Sequence, residues 1–296
     1  NYTKSIPQNI IDSFYEKYGP EADFHQKTGS SSSGMLNAGM QLYWLKNTKP
    51  EVFKKIRYSL HLPQYLSFVF TGIPLSEYTS IGCHTSLWDF EKRDYHDWVY
   101  AENLDQILPP IVSTETSINM NYNGKRIKIG VGIHDSSAAL LPYVRSLKNQ
   151  FILISTGTWS IALNPFVERT LSKKDVADDC INYMRINGKP VKSARLFLGN
   201  EYSIQVKKLT EHYGVDKDYH KTVKFDPEIH YEIVKEFEKL FKWESIDDPE
   251  MPEETHLRYT SFEDAYHHLM MELVLLQVES IKSAKGNMTI EKLFVD

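Results

Sequence analysis

The sequence predicts an α/β protein in two domains, and three observations carry that expectation. At 296 residues the chain is about twice the size of a common domain of roughly 150, leaving one oversized domain as the alternative. Up to about residue 112 the apolar residues recur mostly at helical spacing. From Ser117 onward strand-like and helical segments alternate, which is the order that builds a sheet with helices packed on it.

The elements follow in order along the chain. Ser5-Ile6-Pro7 opens a helix, because proline suits the first turn; Ile6, Ile10, Ile11, Phe14 and Tyr18 share its spacing, and Gly19 stops it. Residues 29–34 place four serines between two glycines, read as a flexible surface turn because the Lys and flanking strand of a P-loop are absent. Leu36, Met40, Tyr43 and Trp44 fall on one helical face. Pro50 starts a short helix with Val52, Phe53 and Ile56, and residues 63–71 form an apolar helix closed by Gly72.

At Ser117 the period changes to two. Asn123-Gly124 is a strong hairpin turn between alternating segments. Then come a helix from Ser136, strands at 151–155 and 159–163, a helix after Gly199, a long helix from Phe262 to Gly286, and a strand at 293–296. The long helix carries Leu269, Leu273 and Leu276 in a stripe that reads as a packing face. Residues 243–254 are acidic, contain two prolines and read as a solvated loop. The domain boundary is placed near 126, giving domains 1–126 and 127–296.

Both termini suggest an internal fragment. Residue 1 is Asn, and the β-rich run at 289–296 reads as a strand inside a sheet with no turn after it. On that view the helices at 36–44 and 63–71 expose apolar faces, and residues 1–296 alone associate or aggregate.

Charge and composition exclude several classes. Lys and Arg number 34 against 39 Asp and Glu, a net charge of −5, which argues against a surface that neutralises nucleic-acid phosphates. No run approaches the ~20 apolar residues that span a bilayer, and mean hydropathy is −0.42. A soluble protein with a small-molecule partner, no nucleic acid and no membrane is expected; a homodimer is left open. Cys83 and Cys180 are far apart, with no CxxC pair and no helical His-x-x-x-His, so they read as buried free thiols in a reducing cytoplasm, and no metal ligands are assigned. His267 and His268 are adjacent and point in different directions on a helix.

Two segments could carry chemistry. In Gly130-Val131-Gly132-Ile133-His134-Asp135-Ser136 a strand runs through glycines into a helix. Asp135 at the junction is either an exposed carboxylate or an ordinary helix cap, and the glycines permit close approach of a ligand. In Ser155-Thr156-Gly157-Thr158-Trp159 a turn between two apolar strands offers amide and hydroxyl donors to a phosphate, or is simply a hairpin. Together they supply a carboxylate base and a phosphate turn, the minimum for moving a phosphoryl group onto a hydroxyl.

These residues resemble the FGGY sugar kinases. Leu36-Asn37-Ala38-Gly39-Met40-Gln41-Leu42-Tyr43-Trp44, Pro50-Glu51, Leu62-Pro63-Gln64-Tyr65 and Thr71-Gly72 look like the helical part of that family's first domain. Residues 132–139 look like its catalytic segment and 155–160 like its second phosphate loop. His134-Asp135 and Gly157-Thr158-Trp159 look most like rhamnulokinases and fuculokinases. The resemblance implies an actin-like ATPase (ribonuclease H-like) fold, two α/β domains with a cleft between them, truncated at both ends. It implies ATP-dependent phosphorylation of a ketose such as L-rhamnulose, L-fuculose or xylulose. Asp135 would be the general base, His134, Ser136 and Asn200 would contact substrate, and Thr156, Gly157 and Thr158 would hold ATP, with Mg²⁺ bound through its phosphates. A helix cap is the other reading of Asn200. The family's Asp-x-Gly-Thr loop and its Gly-Gly loop are not in this sequence, so the fragment alone is expected to turn over poorly. A non-catalytic sugar-binding or interaction protein of the same fold is the alternative.

Overall fold

A computed structural model describes residues 4–296. Its first part is helical. Helices α1 (Gln8–Tyr18), α2 (Glu21–Thr28), α3 (Ala38–Thr48), α4 (Pro50–Phe53) and α5 (Leu62–Thr71) follow one another. Strand β1 (Ser76–Glu77), α6 (Tyr78–Ile81), β2 (Trp88–Asp89), β3 (Asp94–Tyr95), α7 (Asp97–Ala101) and β4 (Ile111–Val112) complete it. The core is aromatic. Phe14 meets Phe24, Tyr43 and Trp98 edge to face at ring separations of 5.0–5.1 Å, a geometry that adds to simple burial.

The hairpin of β5 (Ser117–Tyr122) and β6 (Lys125–Gly130) turns at Asn123 and Gly124, both with positive φ, as a two-residue hairpin turn requires. Then come α8 (Asp135–Ser146), β7 (Phe151–Thr156), β8 (Ser160–Asn164), α9 (Lys173–Ala177), β9 (Ile181–Met184), β10 (Pro190–Leu196), α10 (Leu198–Tyr213), α11 (Pro227–Lys235), α12 (Phe262–Lys285) and β11 (Lys292–Val295). Five strands form one sheet in the order β11-β7-β8-β10-β9, parallel only between β11 and β7. The period of two sorts its residues. Phe151 and Leu153 pack with Leu140 of α8 on one face, while Ile152 and Ile154 pack with Ala284 of α12 on the other. Among the described residues no helix is long and apolar enough to cross a membrane.

Four expectations need correction. The strand at the end of the chain lies at the sheet's edge, paired on one side only, with Leu293 and Val295 exposed. Helix α3 buries Met40, Leu42 and Tyr43, so only α5 of the two apolar helices leaves its face open, at Leu62, Tyr65, Leu66, Val69 and Phe70. The serine turn is no flexible surface turn. Thr28 and Ser30 are buried, and Ser30 Oγ accepts a hydrogen bond from Ser86 N at 3.0 Å. Finally, the acidic loop is partly packed: Trp243 and Ile246 are buried, and Asp248 pairs with Lys239 at 2.7 Å.

Candidate functional site

A cleft of about 450 Å³ opens between the start of α8 and the turn joining β7 to β8. Its acidic wall is built by the chain's exit from β6. Gly132 has φ +89°, and a Cβ there would stand 2.7 Å from the carbonyl carbon and oxygen of Pro63, so glycine is required. Its smallness serves packing against α5 rather than the expected approach of a ligand. His134 then takes the N-cap backbone position, without a side-chain cap bond, and Asp135 becomes the first residue of α8.

The Asp135 side chain is 93% exposed. Its Oδ1 accepts only from the neighbouring Ser136, from N at 2.6 Å and from Oγ at 3.4 Å. His134, not Asp135, holds the N-cap position, and the Asp135 carboxylate, accepting one first-turn amide, faces the cleft. Behind it the backbone is pinned. His134 N donates to Thr79 Oγ1 at 3.0 Å, and Thr79 Oγ1 donates to Glu77 Oε1 at 2.6 Å. Glu77 is fully buried and also accepts from Thr79 N, Ser80 N and Thr114 Oγ1, so its carboxyl oxygens are satisfied and fixed.

Burial lowers the pKa of His134, against the opposing pull of Asp135 and Glu77. Burial, with His134 and Arg195 adding to it, pushes His84 down to about 4. Both rings are neutral near pH 7, and a neutral imidazole can donate from one nitrogen and accept at the other.

The opposite wall is the turn at 157–159. Thr156 pairs with Ser160 as the last rung of β7 and β8. Gly157 does not have positive φ, and the nearest non-neighbouring atom to a Cβ there is 3.9 Å away. The tight glycine is Gly199, where a Cβ would meet Gly157 O at 2.0 Å. Helix α10 thus starts directly against the turn. Asn200 N donates to Thr158 O at 3.2 Å, while its side-chain Nδ2 donates to Ser245 Oγ at 3.1 Å. Thr156 Oγ1 donates to Asp296 O at 2.9 Å.

His134, Asp135, Ser136, Thr156, Gly157 and Thr158 all line this cleft. Asn200 does not: it supports the turn from behind and, lying inside α10 after an N-cap at Phe197, is no cap either. Sequence reasoning missed Arg195, the cation among the lining residues. Its guanidinium donates to Ser31 Oγ at 2.6 Å and Ser33 Oγ at 2.9 Å and lies 5.5 Å over the Trp159 ring, which itself stacks on Phe197 at 4.4 Å. The serines that hold it are those read as a surface turn. Gly199 left a weak signal, a glycine in the first turn of a helix.

The FGGY carbohydrate-kinase N-terminal domain model matches residues 7–140, and the FGGY C-terminal domain model matches residues 148–229. Over 140 residues, 43% of this chain and 28% of the relative, the sequence is 30% identical to the rhamnulokinase of Oceanobacillus iheyensis. A carbohydrate kinase from Novosphingobium aromaticivorans superposes with TM-score 0.72 at 23% identity, covering all of this chain and 65% of that one. A ligand-bound xylulose kinase from Lactobacillus acidophilus gives TM-score 0.66 at 12% identity, covering 96% and 59%. The chain thus spans under two thirds of these relatives, and the two superpositions speak to fold alone.

Proposed function

The chain belongs to the FGGY family of carbohydrate kinases, with that family's actin-like fold, and on that premise we propose that its protein transfers the γ-phosphoryl group of ATP to a hydroxyl of a ketose. The supporting observation is the pairing, across one cleft, of the open Asp135 carboxylate with the 156–158 turn. The turn suits a phosphate. Gly157 leaves open the space a Cβ would fill, and Arg195 adds a fixed positive charge to the same wall.

Bound ATP supplies the phosphoryl group and Mg²⁺, held mainly through its phosphates, supplies charge neutralisation. The chain's residues do the rest. Asp135 accepts the proton of the sugar hydroxyl as that oxygen bonds to phosphorus and the bond to the β,γ-bridging oxygen breaks, with ADP leaving. His134 and Ser136 flank the carboxylate and orient the sugar, while Thr156, Gly157, Thr158 and Arg195 bind the phosphates. Asn200 acts on the turn, not on substrate. L-Rhamnulose, L-fuculose and xylulose are the candidate sugars, and the rhamnulokinase relative favours the first. The domain limits of 1–126 and 127–296, a cytoplasmic location and assembly as a homodimer belong to the same proposal.

ADP release by the full-length parent protein with L-rhamnulose, L-fuculose, D-xylulose, L-ribulose and glycerol tests the reading. Turnover with a ketose supports it; sugar binding by calorimetry with no ADP release for any sugar would make this a non-catalytic member of the fold.

A further inference from the structure

The loop after α6 carries a second constellation at the inner wall of the cleft. Cys83 Sγ and a ring nitrogen each of His84 and His134 lie within 4.8 Å of one another. Cys83 is buried, and Nδ1 of both histidines is buried without a hydrogen-bond partner. His134 Nδ1 lies 3.1 Å from Asp135 Oδ1 without forming a hydrogen bond. Each buried polar atom left unpaired costs about 1–3 kcal/mol, so two in one cluster call for a partner of matching chemistry.

The loop is also held in an unfavourable backbone. His84 has φ 38° and Ser86 φ 61°, neither being glycine. Three hydrogen bonds enforce it: Asn37 Nδ2 to His84 O and Trp98 Nε1 to Ser86 O, both at 2.8 Å, and Gly39 N to Thr85 O at 2.8 Å. Such strain survives only where the surroundings over-determine it, and it gathers at functional positions.

We propose that Cys83 Sγ, His84 Nδ1 and His134 Nδ1 form a three-ligand site for a zinc-class divalent cation, with Asp135 Oδ1 in reach as the fourth. Zinc takes thiolate sulfur at about 2.3 Å and imidazole nitrogen at about 2.0–2.1 Å in tetrahedral geometry, so each ligand atom has to move by roughly 1 Å or less. Coordination forms the metal–sulfur bond and releases the thiol proton to solvent. Sequence spacing hides the set, since His134 lies fifty residues beyond the Cys83-His84 pair. The site shares His134 and Asp135 with the proposed phosphoryl transfer, so a bound cation would compete with the sugar for them, and the cobalt spectra read the site without any turnover.

Titration with Co²⁺ under a non-chelating reductant tests it, read by the thiolate-to-cobalt charge-transfer absorption and the visible ligand-field bands. The expected result is saturation at one equivalent, displacement by Zn²⁺, loss of the charge-transfer band in Cys83→Ser, and affinity lower by about tenfold or more in His84→Asn. Cys180→Ser should keep the band. If Cys83→Ser does not fold by circular dichroism, His84→Asn and His134→Asn decide. Folded wild-type protein without a thiolate band, or bands unchanged in both histidine variants, would overturn the proposal.

Discussion

The guanidinium of Arg195 is largely buried, yet it borders the cleft, and the two serine hydroxyls that accept its hydrogen bonds fix its direction. Lysine carries the charge but not the planar guanidinium that the serines and the Trp159 ring hold in place. Arg195→Lys is therefore expected to weaken ATP binding by about tenfold, or ~1.4 kcal/mol, in calorimetry with the melting temperature little changed; an unchanged ATP affinity would take Arg195 out of the phosphate site. His61 makes a different prediction. Burial pushes its pKa down to about 4 from 6.5, with His134 lowering it further and Glu77 opposing. The unfolded chain then binds the proton first, so the neutral ring's contribution is present above pH 6.5 and is lost as pH falls through 4. His61→Gln should flatten the dependence of unfolding free energy on pH between 6.5 and 4, by up to about 1.4 kcal/mol per pH unit. An unchanged slope would mean the ring is solvated.

Helix α10 shows how an element positions the turn. Its first residues press on Gly157 and Thr158 because Gly199 has no side chain. Gly199→Ala overpacks that contact and should cost about 1–3 kcal/mol, lowering the melting temperature and weakening ATP binding more than sugar binding. Equal losses for both ligands would mean a general folding defect. Period and turn chemistry made several elements legible, as at Asn123-Gly124, at the start of α8 and in the stripe of α12, whereas α2, α9, α11 and the strands β9 and β10 gave no clear period. What was not legible depends on distant partners. Residues 29–34 read as surface because nothing local shows that Ser86 and Arg195 come to meet their hydroxyls. Likewise Asp135 and the 156–158 turn are readable as motifs, whereas Arg195 gains its place only when β10 pairs with β8.

On the scale of the molecule, the helical part and the sheet are joined through β9. Asn182 N donates to Gly29 O at 2.8 Å, His25 Nε2 pairs with Cys180 O at 2.8 Å, and Met184 enters the aromatic core. That core is closed by Glu102. Burial alone would raise its pKa, but hydrogen bonds from Lys17, Lys46 and Tyr18 outweigh this and bring it from 4.5 to about 2. A depressed carboxyl stabilises above the unfolded value, so this contribution is lost as pH falls from 4.5 to 2. Glu102→Gln should be less stable at pH 7 and nearly equal to wild type at pH 2; a constant difference across that range would make the effect one of packing. The central claim, that this cleft moves a phosphoryl group with Asp135 as base, is tested most directly by the turnover of Asp135→Asn in the full-length parent protein with ATP and the ketose it phosphorylates. The kcat is predicted to fall on the order of 10²-fold or more with ATP affinity little changed, and a near-normal kcat would contradict it.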